Sequence, residues 1–174
     1  MRGRPRRGPA EEKEFMERVL EINRVSRTVK GGKRIRFRAL VVIGDGKGRI
    51  GYGVGKSSDV SGAIGKAVTD AKKNLIKVFI KGTTIPYEVR SRYKSAEILL
   101  KPAPTGTGVV AGSVLRVVLE LTGIKDVVGK VIGASNKLSN TVATVKALGE
   151  LIDPKEVLLR RGIGKSKSTE KAKS

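Results

Sequence analysis

From Arg34 to Ile43 the chain alternates, with Arg34, Arg36 and Arg38 on one set of positions and Ile35, Phe37, Ala39, Val41 and Ile43 on the other. A period of two places those sets on opposite faces of a β-strand. Asp45, Gly46, Lys47 and Gly48 follow, residue types that tolerate a tight turn. The chain returns over 49–56 with Gly51, Gly53 and Gly55 on one face and Ile50, Tyr52 and Val54 on the other. The pattern predicts a hairpin with one apolar face and one face carrying charge beside bare glycine backbone. Ahead of it, a strand is expected over 18–25, with Leu20 and Ile22 on one side. A loop over 24–33 is then expected, ending in Gly31 and Gly32.

After the hairpin the period changes. Val60, Ala63, Ile64, Ala67, Val68, Ala71, Leu75 and Val78 recur at spacings of three and four, the mark of one helical face. Ser57, Ser58 and Asp59 offer caps for it. This helix is expected to cover the apolar side of three strands and leave the arginine side open. Gly82, Thr83, Thr84 and Pro86 break the pattern and suggest a boundary between two domains. Beyond it, strands are expected over 87–93, 96–101 and 126–132, and helices over 109–121 and 139–152. A short last helix is expected after Asp153, with Pro154 in its first turn and Glu156 at the third position. Gly123 suits the left-handed residue that ends the first of these helices. The division is residues 1–13 as a basic and acidic tail, 14–83 and 84–162 as domains, and 163–174 as a basic mobile tail.

Charge narrows the function. Lys and Arg number 37 against 16 acids, a formal charge of +21. A field of that sign calls for a polyanion, nucleic acid before an anionic membrane surface. Between residues 23 and 56 there are ten Lys/Arg and a single acid, Asp45. Arg24, Arg27, Lys30 and Lys33, with Ser26 and Thr28 between them, are expected to grip phosphates. Arg34, Arg36, Arg38, Arg49 and Lys56 should extend the grip, with Gly51, Gly53 and Gly55 allowing close approach of the nucleic acid.

Cysteine, histidine, glutamine and tryptophan are all absent. No disulfide frame, zinc site or histidine-dependent triad can be built, and no metal or cofactor is expected. The longest uninterrupted apolar run, 39–43, is too short to cross a bilayer. The opening residues lack the apolar core of a secretory signal, so a cytoplasmic protein is expected.

Two motifs imitate nucleotide sites. Gly55, Lys56 and Ser57 resemble the end of a phosphate-binding loop, but Ile50 stands where that motif needs its first glycine. Gly106-x-Gly108-x-x-Ala111 follows a strand and opens a helix, with Asp126 twenty residues beyond Gly106. That is close to a dinucleotide fingerprint. However, Asp126 begins the next strand instead of ending it, and Pro102 and Pro104 intrude. The preferred reading of Thr105, Gly106, Thr107 and Gly108 is a tight loop packed against a protein or RNA neighbour. Aromatic residues are 3% of the chain, too few for a base-stacking platform.

The chain resembles the bacterial small-subunit ribosomal protein S-five family. The resemblance rests on three stretches, 23–32 (NRVSRTVKGG), 44–53 (GDGKGRIGYG), and 104–112 with Leu119, Glu120 and Leu121. It implies an α+β fold with an N-terminal double-stranded-RNA-binding-like part: a three-stranded antiparallel sheet and one covering helix. The C-terminal part would be a left-handed β-α-β domain. It further implies binding to 16S ribosomal RNA, contacts with small-subunit proteins four and eight, and messenger RNA near the entry channel. The family stretch matching residues 26–31 lies at decoding-side RNA, and that matching 105–108 borders the contact with protein four. Tyr87, Val54 and Lys137 depart from the family's usual histidine, aromatic and proline. The expected function is a non-enzymatic, non-homo-oligomeric constituent of the small subunit that supports translational accuracy. A free-standing RNA-binding chaperone and a dinucleotide-binding enzyme are the alternatives.

Overall fold

The computed structural model describes residues 15–162. The expectations for the two tails fall on residues outside that span. Strand β1 (Met16–Val29) pairs antiparallel with β2 (Gly32–Gly44), and β2 with β3 (Arg49–Ser57). A two-residue strand, β4 (Ile76–Lys77), pairs with Arg49 and Ile50 and makes the sheet four-stranded where three were expected. Helix α1 (Val60–Lys73) covers one face.

The loop expected over 24–33 does not exist. Strand pairing continues from Arg24 opposite Phe37 to Val29 opposite Gly32, leaving Lys30 and Gly31 as the turn. β-branched Val25, Thr28, Val29 and Ile35 favour the extended form, and Gly31 supplies a φ of 96°. Polar density in this stretch marks exposure and not irregular backbone.

Helix α1 begins where Asp59 accepts from the N–H of Gly62, and it ends at Lys73, sooner than its apolar stripe suggested. Leu75 and Val78 reach the apolar interior from extended backbone instead, and the Val78 N–H donates to the Gly48 carbonyl at 2.7 Å. Ala63, Ala67 and Ala71 are buried against Ala39, Val41 and Ile43.

The second sheet has the order β5 (Val89–Tyr93), β6 (Ala96–Pro102), β8 (Val127–Val131), β7 (Val109–Val110). β7 runs parallel to β8, and α2 (Ser113–Thr122) connects them as a β-α-β unit. Val109 and Val110, expected in the helix, are thus strand, because β-branched residues followed by Ala111 and Gly112 hold extended backbone until the helix opens. Gly123 closes α2 in the left-handed conformation, φ 93°. Helix α3 (Lys137–Gly149) and α4 (Pro154–Arg160) complete the order. Ile152, expected inward on α3, lies past its end and is exposed. Lys137 is the first residue of α3, where a proline would also fit, and Asn136 caps that helix by accepting from the Ser139 N–H.

One apolar cluster runs through both halves. Val42, Ile50 and Val78 pack with Ile98, Leu115, Leu119 and Leu148. The first sheet is therefore covered on both faces at its inner end, by α1 on one side and by the second half on the other. The turn between β2 and β3 seals this joint. The N–H of Gly46 donates to the Leu121 carbonyl at 3.0 Å and that of Gly48 to the Thr122 carbonyl at 2.9 Å, which satisfies the open end of α2.

Candidate nucleic-acid interface

Strand β3 ends at Ser57, opposite Phe37. Beyond that pair only β1 and β2 remain, so residues 32–36 and their partners form a two-stranded arm roughly 17 Å long at the usual rise per residue. Its side chains are exposed on both faces, except that Val25 is half-buried. On one face Arg27 stands directly opposite Arg34, Arg36 opposite Val25, and Arg38 between Asn23 and Lys56. On the other, Arg24, Ser26 and Thr28 lie opposite Phe37, Ile35 and Lys33. Lys30 sits in the turn. The first face is shallowly concave, about 350 Å³, and its side chains are those of Val25, Arg27, Val29, Arg34, Arg36 and Lys56.

No cation of this arm has an acidic partner among the described residues, where the ion pairs are Arg49–Asp45, Arg90–Glu97, Lys101–Glu88 and Arg160–Glu156. Like charges directly opposite across strands repel. The arm is held in that state by backbone pairing alone, and an incoming chain of phosphates would relieve it. The aliphatic groups between the cations, Val29 and Ile35, are 42% and 40% exposed, which leaves apolar surface in water beside the charges.

Two sets of expected site residues lie elsewhere. Gly51, Gly53 and Gly55 are buried and face α1, not the arginines: a Cβ on each would overlap the carbonyl oxygens of Ala71, Ala67 and Ala63 respectively. Their cross-strand partners are Ile43, Val41 and Ala39, on the helix-covered face. The bare backbone exists to bring α1 close, so these glycines are corrected from nucleic-acid contacts to packing positions. Arg49 sits at the other end of β3, about 23 Å along the strand from Lys56. Its Nε donates to Asp45 Oδ2 at 2.6 Å, and its guanidinium lies 5.1 Å from the Phe15 ring centre. Asp45 also accepts from the N–H groups of Lys47 and Arg49 at 2.7 and 2.9 Å. Burial pushes its carboxyl up, and the Arg49 and Lys47 bonds outweigh that and hold it below the usual value. Arg49 is a turn-fixing residue, remote from the arm.

The arginine side of the sheet is also only half open. Arg34 and Arg36 are in water, but Leu40 and Val42, on the same face further in, are buried. Sequence reasoning missed that change, and it missed the match between glycines at every second position of β3 and alanines at every fourth position of α1. That match was readable once the two stripes were set side by side.

Residues 105–108 form an exposed loop, with Gly106 and Gly108 at φ 95° and 75°. Both glycine N–H groups donate to Asp126 Oδ1, at 2.9 and 3.0 Å. The acid twenty residues beyond Gly106 thus bonds the loop itself, and these amides are not free for a pyrophosphate. The Gly108 N–H, the Thr83 side chain and the Gly106 N–H together hold the Asp126 carboxyl below its ordinary value. Among the described residues no group of three or more potential ligands could hold a metal ion, and no helix is long and apolar enough to cross a membrane. Tyr87 ties down the end of α3: its hydroxyl donates to the Glu150 carbonyl and accepts from the Ile152 N–H, both at 3.0 Å.

Comparison with known proteins places both halves. Residues 15–79 match the family model "Ribosomal protein S5, N-terminal domain", and residues 91–161 match "Ribosomal protein S5, C-terminal domain". The chain is 50% identical over 152 residues to "Small ribosomal subunit protein uS5" of Protochlamydia amoebophila (strain UWE25), covering 87% of this chain and 91% of that protein.

Proposed function

The chain belongs to the small-subunit ribosomal protein S5 family, and from that premise we propose that it grips 16S ribosomal RNA with the two-stranded arm. The family is one of structural ribosomal proteins and not of enzymes, and its place is the ribosome in the cytoplasm. The observation that carries the proposal is the row Arg27, Arg34 and Arg36, without an acidic partner on one face of an arm that projects past the core, continued at the arm's base by Arg38 and Lys56. Arg24, Ser26, Thr28, Lys30 and Lys33 contact the same RNA from the arm's other side and tip. A rigid, antiparallel arm enters a crevice between RNA segments better than a loop does, since less backbone freedom is lost on binding.

In the same reading, residues 14–83 are the RNA-gripping unit and 84–162 the protein-contacting unit. Thr105, Gly106, Thr107 and Gly108 meet small-subunit protein four, and protein eight packs elsewhere on the chain. Placed so, the protein steadies the decoding region and helps line the messenger entry. Binding to 16S ribosomal RNA measured from low to high salt tests this. The expected log–log slope is steep, roughly −0.9 for each phosphate neutralised on a B-DNA scale. Equal, shallow slopes for the wild type and for a variant lacking the arm cations would contradict it. Recovery of the chain only in free fractions, with activity on many RNAs, would favour a free-standing chaperone.

A further inference from the structure

We propose that Asp126 is the positioning residue of the 105–108 loop, a carboxylate supplied by the chain that fills the loop's own anion nest and so presets the surface offered to a protein partner. The inference rests on reading that loop as a protein contact. Positive φ at Gly106 and Gly108 turns two N–H groups the same way, toward Asp126 Oδ1. Converging amides of this kind normally attract phosphate or another anion. Here the anion is a side chain only 4% exposed.

The carboxylate is itself held in place. The N–H groups of Lys125 and Asp126 both donate to the Thr83 carbonyl, at 2.9 and 3.0 Å. The loop is closed on both flanks as well: Ala103 N–H donates to Thr84 Oγ1 at 3.2 Å, and Val127 N–H to the Gly108 carbonyl at 3.1 Å. Thr107 completes the turn with two bonds to the Pro104 carbonyl. The loop's shape is thus decided by Asp126, which no partner needs to touch. A loop held in its bound form loses little freedom on docking, which is how a remote carboxylate raises affinity.

The test uses the full chain in three variants: Asp126→Ala, Asp126→Asn, and Thr107→Arg, which alters the loop's surface, gives up the Thr107 Oγ1 bond to Pro104 and leaves both glycine bonds to Asp126. Amide exchange at Gly106 and Gly108 is followed by NMR. Affinity for small-subunit particles assembled without this protein is measured at high salt, where the arm is screened. Asp126→Ala should speed exchange at both glycines and weaken docking, each by about ten- to a hundredfold, the range for hydrogen bonds to a charged acceptor. Asp126→Asn keeps an acceptor oxygen and should recover part of both effects. Unchanged exchange in Asp126→Ala overturns the clasp, whatever the loop touches. Faster exchange with docking lost only in Thr107→Arg overturns positioning alone. Faster exchange with neither Asp126→Ala nor Thr107→Arg affecting docking overturns positioning and the contact reading together.

Discussion

At its inner end β2 carries Ala39, Val41 and Ile43 beneath α1, and Val42 against the second half with Leu40 buried on the same face. Further out the same strand carries Lys33, Arg34 and Arg36 with both faces in water. The inner end is specified by volume: glycines on β3 and alanines on α1 leave no room for a methyl group between them. The outer end is specified by backbone pairing and is chemically defined by charge. One continuous pair of strands therefore separates the packed core from the exposed charge and, in the proposed reading, stability from recognition. The core fixes where the arm points, and the arm contributes little to the core.

The sharpest way to break that separation is to load the inner end. Gly53→Val forces a side chain into the backbone of α1 at Ala67, and should cost about 3 kcal/mol or more in urea unfolding. A cost under about 1 kcal/mol would show that the helix is free to lift away. Next comes the outer end. Replacing Arg27, Arg34 and Arg36 together by Ala should leave unfolding free energy within about 0.5 kcal/mol, since no core contact is lost. The salt slope for ribosomal RNA should become shallower by roughly 0.9 for each arginine that meets a phosphate.

A smaller effect is expected at the joint between the halves. Asp45 has a folded-state pKa below its unfolded value, so its contribution is present above the ordinary carboxylate range and is lost as pH falls through the folded value. Asp126 has the same sign. Thermal midpoints should fall on acidification below the ordinary aspartate pKa. Asp45→Ala should remove part of that acid dependence, at a cost of about 1 kcal/mol near neutrality. The smallest change is Gly31→Ala at the arm's tip. No atom crowds that position, so only the φ of 96° opposes it, at about 1 kcal/mol.

Much of this was legible in the chain. Alternation through 34–43 located the arginine face, and the three- and four-residue spacing located α1 and its Asp59 cap. Residues 24–33 read as a loop because their polar residues hide a strand period that only pairing reveals. The open arginine face was overextended for a different reason. The unbroken apolar run 39–43 signals a strand covered on both sides, and an alternating pattern read alone does not register it. Gly51, Gly53 and Gly55 were assigned to the wrong neighbour because a missing side chain is equally suited to RNA and to a helix. Ala63, Ala67 and Ala71 decide between them. At Asp126 the spacing was seen, but it served the loop's own amides and not a ribose.

The most direct test of the separation is a photo-crosslinking map on intact ribosomes, with a crosslinking residue placed in turn at Ser26, Ile35 and Arg36 on the arm and at Val54 further in. The arm positions should attach to 16S ribosomal RNA, and Val54 should yield less or none. Arm positions that capture no nucleotide in assembled particles, or that attach only to protein, would contradict the account.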